Sequence, residues 1–312
     1  LVVDLKSERG REIVRRLIER SDVLVENYGP GTLERLGFGP DAALAINPRI
    51  IYCALKGFLR GPYERRPALD EVVQYMSGLA YMTGLPGRPL RAGSSIVDLM
   101  GGVFGAVAIL AALRERERTG RGSRVTSALF ETAAFLVAQH MTAEANTGTP
   151  PPPMSTRYPA WGVYETFPTE DGTPIFVGIT SNAHWESFCR ALHREDLLSD
   201  PDFRDNNARV AAKDRLLPIV AEIARAHSYN ELAAIFERER IPFSPVARPG
   251  DLFDDPHLNA HGWLEETELP DRRRTKLPAI PVELDAHTLG IRLQPPQLGE
   301  HNAEILKEIG FA

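Results

Sequence analysis

Asp98 heads the stretch with the most chemical content: Asp98-Leu99-Met100-Gly101-Gly102, then the apolar run from Val103 to Leu113, then Thr119-Gly120-Arg121-Gly122. A short apolar approach, Ile96-Val97, brings this one carboxylate to the start of a long helix. The two glycines behind it let another backbone or a ligand come close. A helix N-terminus supplies free N–H groups and a positive dipole end, which keep a carboxylate ionised. An ionised, positioned carboxylate is a nucleophile. The same residues also fit a plain structural use, with Asp98 as an N-cap and the glycines as places of close helix packing.

Other polar clusters point to less. The eight histidines show no metal-ligand spacing, so no metal is expected. His301 has no partner nearby in sequence and stands at the start of the last helix, which suits capping or packing better than acid–base work. Arg114, Arg116, Arg118, Arg121 and Arg124 could meet phosphates, but interleaved Glu115 and Glu117 read as a solvated helix end.

The elements that must position Asp98 alternate between short strands and helices. Leu1 to Leu5 reads as a strand, and Ser7 to Glu19 has helical apolar spacing at Ile13, Val14, Leu17 and Ile18. Val23-Leu24-Val25 ends in a Gly-Pro-Gly turn, and Ile50 to Leu55 is a further apolar run. This alternation predicts parallel pairing and an α/β class, with a doubly wound, Rossmann-like large domain. Asp70–Met82, Leu99–Arg116 and Ser127–Thr142 read as helices. Four consecutive prolines, Pro150 to Pro153, place a boundary. The large domain is therefore expected over 1–150, a smaller α+β domain over 151–250, and a proline-rich return with a C-terminal helix over 251–312. In the small domain, Gly162–Phe167 and Pro174–Thr180 flank Glu170-Asp171-Gly172 as a hairpin. Helices follow over Ala183–Leu192, Ala211–Ala226 and Tyr229–Arg238, then a strand at Ile241–Val246 and a last helix at Asn302–Ile309.

Composition sets outer bounds. With 312 residues, 43% of them hydrophobic, the chain can build two ordinary cores. A net charge of −6 argues against nucleic acid as a principal partner. Cys53 and Cys189 lie among apolar neighbours and read as buried thiols, which fits a cytoplasmic location. The longest apolar run, Val103 to Leu113, falls short of the ~20 residues of a membrane span.

Asp98 with its glycines and the Thr119–Val125 tail resembles the class III CoA-transferase family, which includes formyl-CoA transferase, carnitine and bile-acid CoA transferases and the α-methylacyl-CoA racemases. So do Ser21–Gly31 continuing to Arg35-Leu36-Gly37, the block Gly57-Phe58, Gly61-Pro62-Tyr63, Pro67–Asp70 and Ser77-Gly78-Leu79, and the closing segment Gln297–Asn302. The blocks cover nearly the whole chain in the family's order. The resemblance implies an interlocked homodimer, with the segment from Asp251 to Pro296 threading the partner. It implies acyl-CoA and a small carboxylic acid as substrates, with no permanently bound cofactor. It assigns Asp98 as the group that attacks the thioester, giving an aspartyl-acyl anhydride and then an aspartyl-CoA thioester. It places Asn27, Tyr28 and Arg35 around the CoA nucleotide, with Lys6 as a further CoA candidate. Good turn chemistry in Asn27–Gly31 and a solvated Arg35 are the structural alternative. Gly101 and Gly102 would offer N–H groups to the thioester oxygen, or else only close approach. The family has several dozen residues before the position of Leu1, so an N-terminal truncation removing part of the CoA site is expected.

The racemase branch needs two acid–base groups, and its histidine falls where this chain has Leu69. Leucine carries no proton, so CoA transfer is favoured over racemisation of a 2-methylacyl-CoA; a catalytically impaired CoA-binding or oligomerising fragment is the third reading. Gly178–Ala183, matched to a glycine-rich loop of some formyl- and oxalyl-type members, is not glycine-rich, which favours a larger organic acid.

Overall fold

Short apolar runs in the N-terminal half become one parallel sheet. The computed structural model describes residues 1–156 and 160–311. Among these, 1–156 and 296–311 form one compact unit and 160–295 a second.

The first unit runs α1 (Glu8–Arg20), β1 (Val23–Glu26), α2 (Thr32–Arg35), α3 (Pro40–Ile46), β2 (Ile51–Lys56), α4 (Asp70–Met76), α5 (Leu79–Thr83), α6 (Ile96–Thr119), β3 (Ser123–Ala128), α7 (Leu129–Leu136) and α8 (Ala138–Thr147). Strands β1, β2 and β3 pair in parallel in that order, with Val23 opposite Ile51 and Ile51 opposite Ser123. Side chains alternate across β2. Tyr52 and Ala54 pack with Ile18, Leu33, Phe38 and Ala43 from α1 to α3. Cys53 and Leu55 face α6 on the other side, where a Cβ on Gly105 would sit 2.8 Å from Leu55 Cδ2 and 3.7 Å from Cys53 Sγ. Gly105 therefore lets the helix axis close onto the sheet. Helices thus cover both faces of an α/β sheet, while the described strands run in one order without the reversal of a doubly wound sheet.

Several expectations change here. Leu1–Leu5 is not a strand: Asp4 closes a turn, its carbonyl accepting from Ser7 N at 3.2 Å and its carboxylate from Lys6 N at 2.9 Å. The Asp70–Met82 stretch breaks between α4 and α5 at Gly78, whose φ of +84° suits glycine. Ser127–Thr142 divides into the end of β3 and two helices. By length and composition α6 is able to cross a membrane, against the expectation from its 11-residue apolar core. Leu99, Val103, Val107 and Leu110 form an exposed stripe along it.

In the second unit, β4 (Val163–Pro168) and β5 (Pro174–Ile179) form the expected hairpin. Helices α9 (Asn182–Ala191), α10 (Asn206–Ala211), α11 (Lys213–Arg225) and α12 (Tyr229–Glu239) follow, and β6 (Phe243–Pro245) pairs with β5. The predicted Gly178–Ala183 loop is instead the end of β5 and the start of α9, with Ser181 as N-cap. One continuous core runs from Val163 to Ile241. Inside it lies Arg209, 1% exposed, which donates to Phe203 O at 2.8 Å and Asn182 Oδ1 at 2.7 Å and stacks on Trp185.

The chain continues through α13 (Pro256–Ala260), the antiparallel pair β7 (Leu264–Glu268) and β8 (Arg274–Pro278), and the short pair β9 (Glu283–Leu284) and β10 (His287–Thr288). Residues 251–295 group with the second unit, and not with the C-terminal helix in one return segment. Only the last stretch, with α14 (Asn302–Glu308), belongs to the first unit. There Arg16 donates to Gly310 O at 2.8 Å and stacks on Phe311.

Candidate active site

The carboxyl ends of β1, β2 and β3 open onto one cavity of about 610 Å³. Its wall takes Asn27 and Tyr28 after β1, Lys56 and Gly57 at the end of β2, and Ser127 and Ala128 at the end of β3. Ligands of parallel α/β sheets bind outside this edge, because the loops there splay apart and the next helices point their N-termini at it. Asp98, Gly101 and Gly102 enter from the first turns of α6.

Asp98 does not cap its own helix. Ser95 stands at the N-cap, and its side chain makes no capping bond. The orphan N–H groups of Val97 and Asp98 instead donate to Asp70 Oδ2, at 2.9 and 3.1 Å. Asp70 is 7% exposed and accepts from Gln74 Nε2 at 2.6 Å, while Gln74 Oε1 accepts from Ala92 N at 2.9 Å. A carboxylate on α4 thus fixes the backbone of the nucleophile candidate from 28 residues away. Burial and then the nearby Asp70 charge push the Asp98 carboxyl above its usual range. A more basic carboxylate is a better nucleophile.

The glycines behave differently from the oxyanion expectation. Gly101 and Gly102 fall inside α6, where helix geometry engages each N–H with the carbonyl four residues back, so neither offers a free donor. Gly101 O also accepts from Ser127 Oγ at 2.8 Å. A Cβ on Gly102 would meet nothing within 4 Å. Its use is therefore open access to the helix surface, and the tight helix packing is at Gly105.

Among the other candidates, Asn27 and Tyr28 share the cavity with Asp98. Arg35 lies beside a second cavity of about 1050 Å³, together with Arg60 and Arg124. Pro30, Lys56 and Arg65 line both cavities. Lys6 lines neither; it sits in the turn before α1, where its carbonyl accepts from Arg11. Leu69, 71% exposed, lines the Asp98 cavity. His301 heads α14 without a capping bond. Of the arginine cluster, Arg114 and Arg118 pair with Glu117 and Glu115, and Arg116 pairs with Asp22 at 2.9 Å. Sequence reasoning did not single out Lys56, Arg65 or Arg66, and it carried Asp70 only as part of the Pro67–Asp70 block. Their available signal is position: Lys56 ends β2, Arg65 and Arg66 precede α4, and Asp70 is its first residue.

The chain matches the model of CoA-transferase family III over residues 1–302. It is 35% identical to an acyl-CoA transferase of Fusarium pseudograminearum, across 100% of this chain and 69% of that protein. It is 30% identical to a succinate–glutarate CoA-transferase of Agrobacterium fabrum, across 99% and 78% of the two chains. The crystal structure of a CAIB/BAIF family protein from Brucella suis superposes with a TM-score of 0.86 at 30% identity, covering 98% of this chain and 80% of that one.

Proposed function

The chain belongs to CoA-transferase family III, and on that premise we propose that it moves CoA from an acyl-CoA thioester to a carboxylic acid with Asp98 as the nucleophile. The observation that carries the reading is Asp98 itself, a basic carboxylate at the wall of a cavity outside the sheet's carboxyl edge. Its oxygen attacks the thioester carbonyl, the C–S bond breaks, and CoA leaves as a thiolate while the acyl group stays on Asp98 as an anhydride. The thiolate then attacks the Asp98 carbonyl, releasing the donor acid and leaving an aspartyl-CoA thioester. The acceptor carboxylate attacks that thioester, freeing the thiolate again and forming a new anhydride. Attack of the thiolate on the acceptor's carbonyl releases the new acyl-CoA and restores Asp98. Holding the reacting groups in one cavity supplies the orientation these steps need.

The Agrobacterium relative is named for succinate and glutarate, which supports dicarboxylic acids as the first donors and acceptors to assay. Leu69 at the cavity wall supports transfer over racemisation, because inversion at the α-carbon needs an acid opposite the base. The exposed stripe Leu99, Val103, Val107 and Leu110 on α6, an apolar face that a second copy would cover, supports a homodimer; an obligate interface buries upward of ~2,000 Å².

The test is CoA exchange between succinyl-CoA and glutarate. Asp98→Ala is expected to lose about 10⁴-fold or more in kcat with folding stability kept to within about 1 kcal/mol, and hydroxylamine is expected to trap acylated wild-type enzyme alone. Near-normal turnover of Asp98→Ala would remove it as the nucleophile.

A further inference from the structure

We propose that the ion pair between buried Glu26 and half-buried Lys56 is a positioning device for the acyl-CoA, holding the turn from Asn27 to Pro30 so that one ligand can run from the larger cavity to Asp98. The inference rests on the transfer reading above.

Glu26 is the last residue of β1 and Lys56 the last of β2. Their charged groups meet at 2.6 Å, with the Glu26 side chain only 4% exposed. The pair grips Tyr28 from both sides: Tyr28 N donates to Glu26 Oε2 at 2.9 Å, and Lys56 Nζ donates to Tyr28 O at 2.9 Å. Both polar backbone groups of a single turn residue are therefore spoken for by one ion pair. Apolar residues of similar volume could hold two strand ends together as well or better, because desolvation offsets most of a buried pair's attraction. What they could not do is fix the direction of the Tyr28 N–H and C=O.

The direction matters because of what the turn carries. Asn27, Tyr28, Gly29 and Pro30 line the Asp98 cavity, and Pro30 with Gly31 begins the wall of the larger one. Lys56 lines both. A long thioester reaching Asp98 from the Arg35 side passes the pair. Lys56 itself is poorly suited to anchor a phosphate there. Two of its three donors are committed and its charge is compensated by Glu26. Arg35 and Arg65, with forked guanidinium groups, are the better phosphate partners. Lys56 is thus a positioning residue acting through the turn.

Lys56→Met keeps the length of the stem and removes the charge and donors. In the whole protein, with CoA binding measured by calorimetry and turnover by the succinyl-CoA–glutarate assay, it is expected to weaken CoA binding and raise KM for succinyl-CoA about 10-fold or more. The expected kcat stays within about 3-fold and the KM for glutarate is unmoved, because transition-state contacts at Asp98 are intact. Lys56→Arg, which keeps charge and donors, should recover part of the loss. Glu26→Gln/Lys56→Met is expected to be no worse than Lys56→Met alone, since the residues act as one unit. If Lys56→Met does not fold, Glu26→Gln with its unchanged shape carries the same measurements. A folded variant with wild-type CoA affinity and KM overturns the positioning role, as does a loss confined to kcat. Wild-type protein that binds no CoA defeats the transfer reading itself, which separates the two failures.

Discussion

The two units bury their apolar residues in different ways. In the second, Val163, Ile175, Trp185, Phe188, Phe203, Leu216 and Phe236 close into one continuous core. In the first, two smaller clusters lie apart, one under β1 and β2 and one around Phe58, Val73, Val97 and Ala133. Meanwhile Leu110 of α6 is left 67% exposed. Burial drives folding roughly in proportion to apolar area. Between Val163 and Ile241 the second unit keeps its large apolar side chains mostly inside, whereas the first leaves a long apolar face of α6 outside and carries Asp98 at the start of that same helix. The proposed chemistry and the proposed dimer contact both fall on α6, away from the larger continuous core.

Breaking the second core should have the largest effect on stability. Phe188, stacked with Trp185 and Phe236, is 1% exposed, and Phe188→Ala is expected to cost about 3–5 kcal/mol in a chemical denaturation curve. A loss below 1 kcal/mol would show that this core is not the main store of stability.

A smaller effect is expected at Asp70. Its removal as Asp70→Ala leaves two N–H groups at the start of α6 and the buried Gln74 amide without their acceptor, at a cost of about 1–3 kcal/mol. Asp70→Asn is the sharper probe because it changes charge with little change in shape. The Asp98 carboxyl is raised by burial and by Asp70, so the acid limb of kcat/KM lies above the ordinary carboxylate range and should move to lower pH in Asp70→Asn. The stability effect has a defined sign. Between the unfolded and the raised folded pKa the native state holds more protons, so the Asp98 contribution falls as pH rises through that window. An acid limb that stays put in Asp70→Asn would leave burial as the sole cause.

The smallest effect on the subunit's own stability belongs to the exposed face. Leu110→Asp should change it by no more than about 0.5 kcal/mol while converting the proposed dimer to monomer in sedimentation. A dimer that survives the substitution would move the interface off this stripe.

Much of this architecture was readable before any coordinates. Helix α1 follows from its apolar spacing, β1 and β2 from short apolar runs, and the β4–β5 hairpin from Glu170-Asp171-Gly172. Asp98 stood out because glycines and an apolar run follow it directly. What escaped was long-range. Strand β3 reads Ser-Arg-Val-Thr-Ser-Ala, a polar run that becomes a strand only by pairing with β2. The β7–β8 pair is built on charge, Glu266 opposite Lys276 and Glu268 opposite Arg274, a cross-strand match that apolar periodicity does not register. Asp70 was visible as a motif residue, but its use depends on folding 28 residues of chain back onto α6. Gly101 and Gly102 misled because helix geometry, invisible in residue type, engages their N–H groups.

Asp70 grips the peptide N–H of Asp98, and among the described residues no hydrogen bond falls on the Asp98 carboxylate itself. An acyl-carrying side chain has two conflicting needs: a fixed place from which to strike, and electron pairs not already given to a donor. Anchoring by the main chain answers both. On the proposed mechanism the carboxylate oxygens would keep their lone pairs for the incoming carbonyl, and the side chain would turn about its own bonds as its cargo changed from acyl group to CoA sulfur and back. The tether holds the wrist and leaves the hand free.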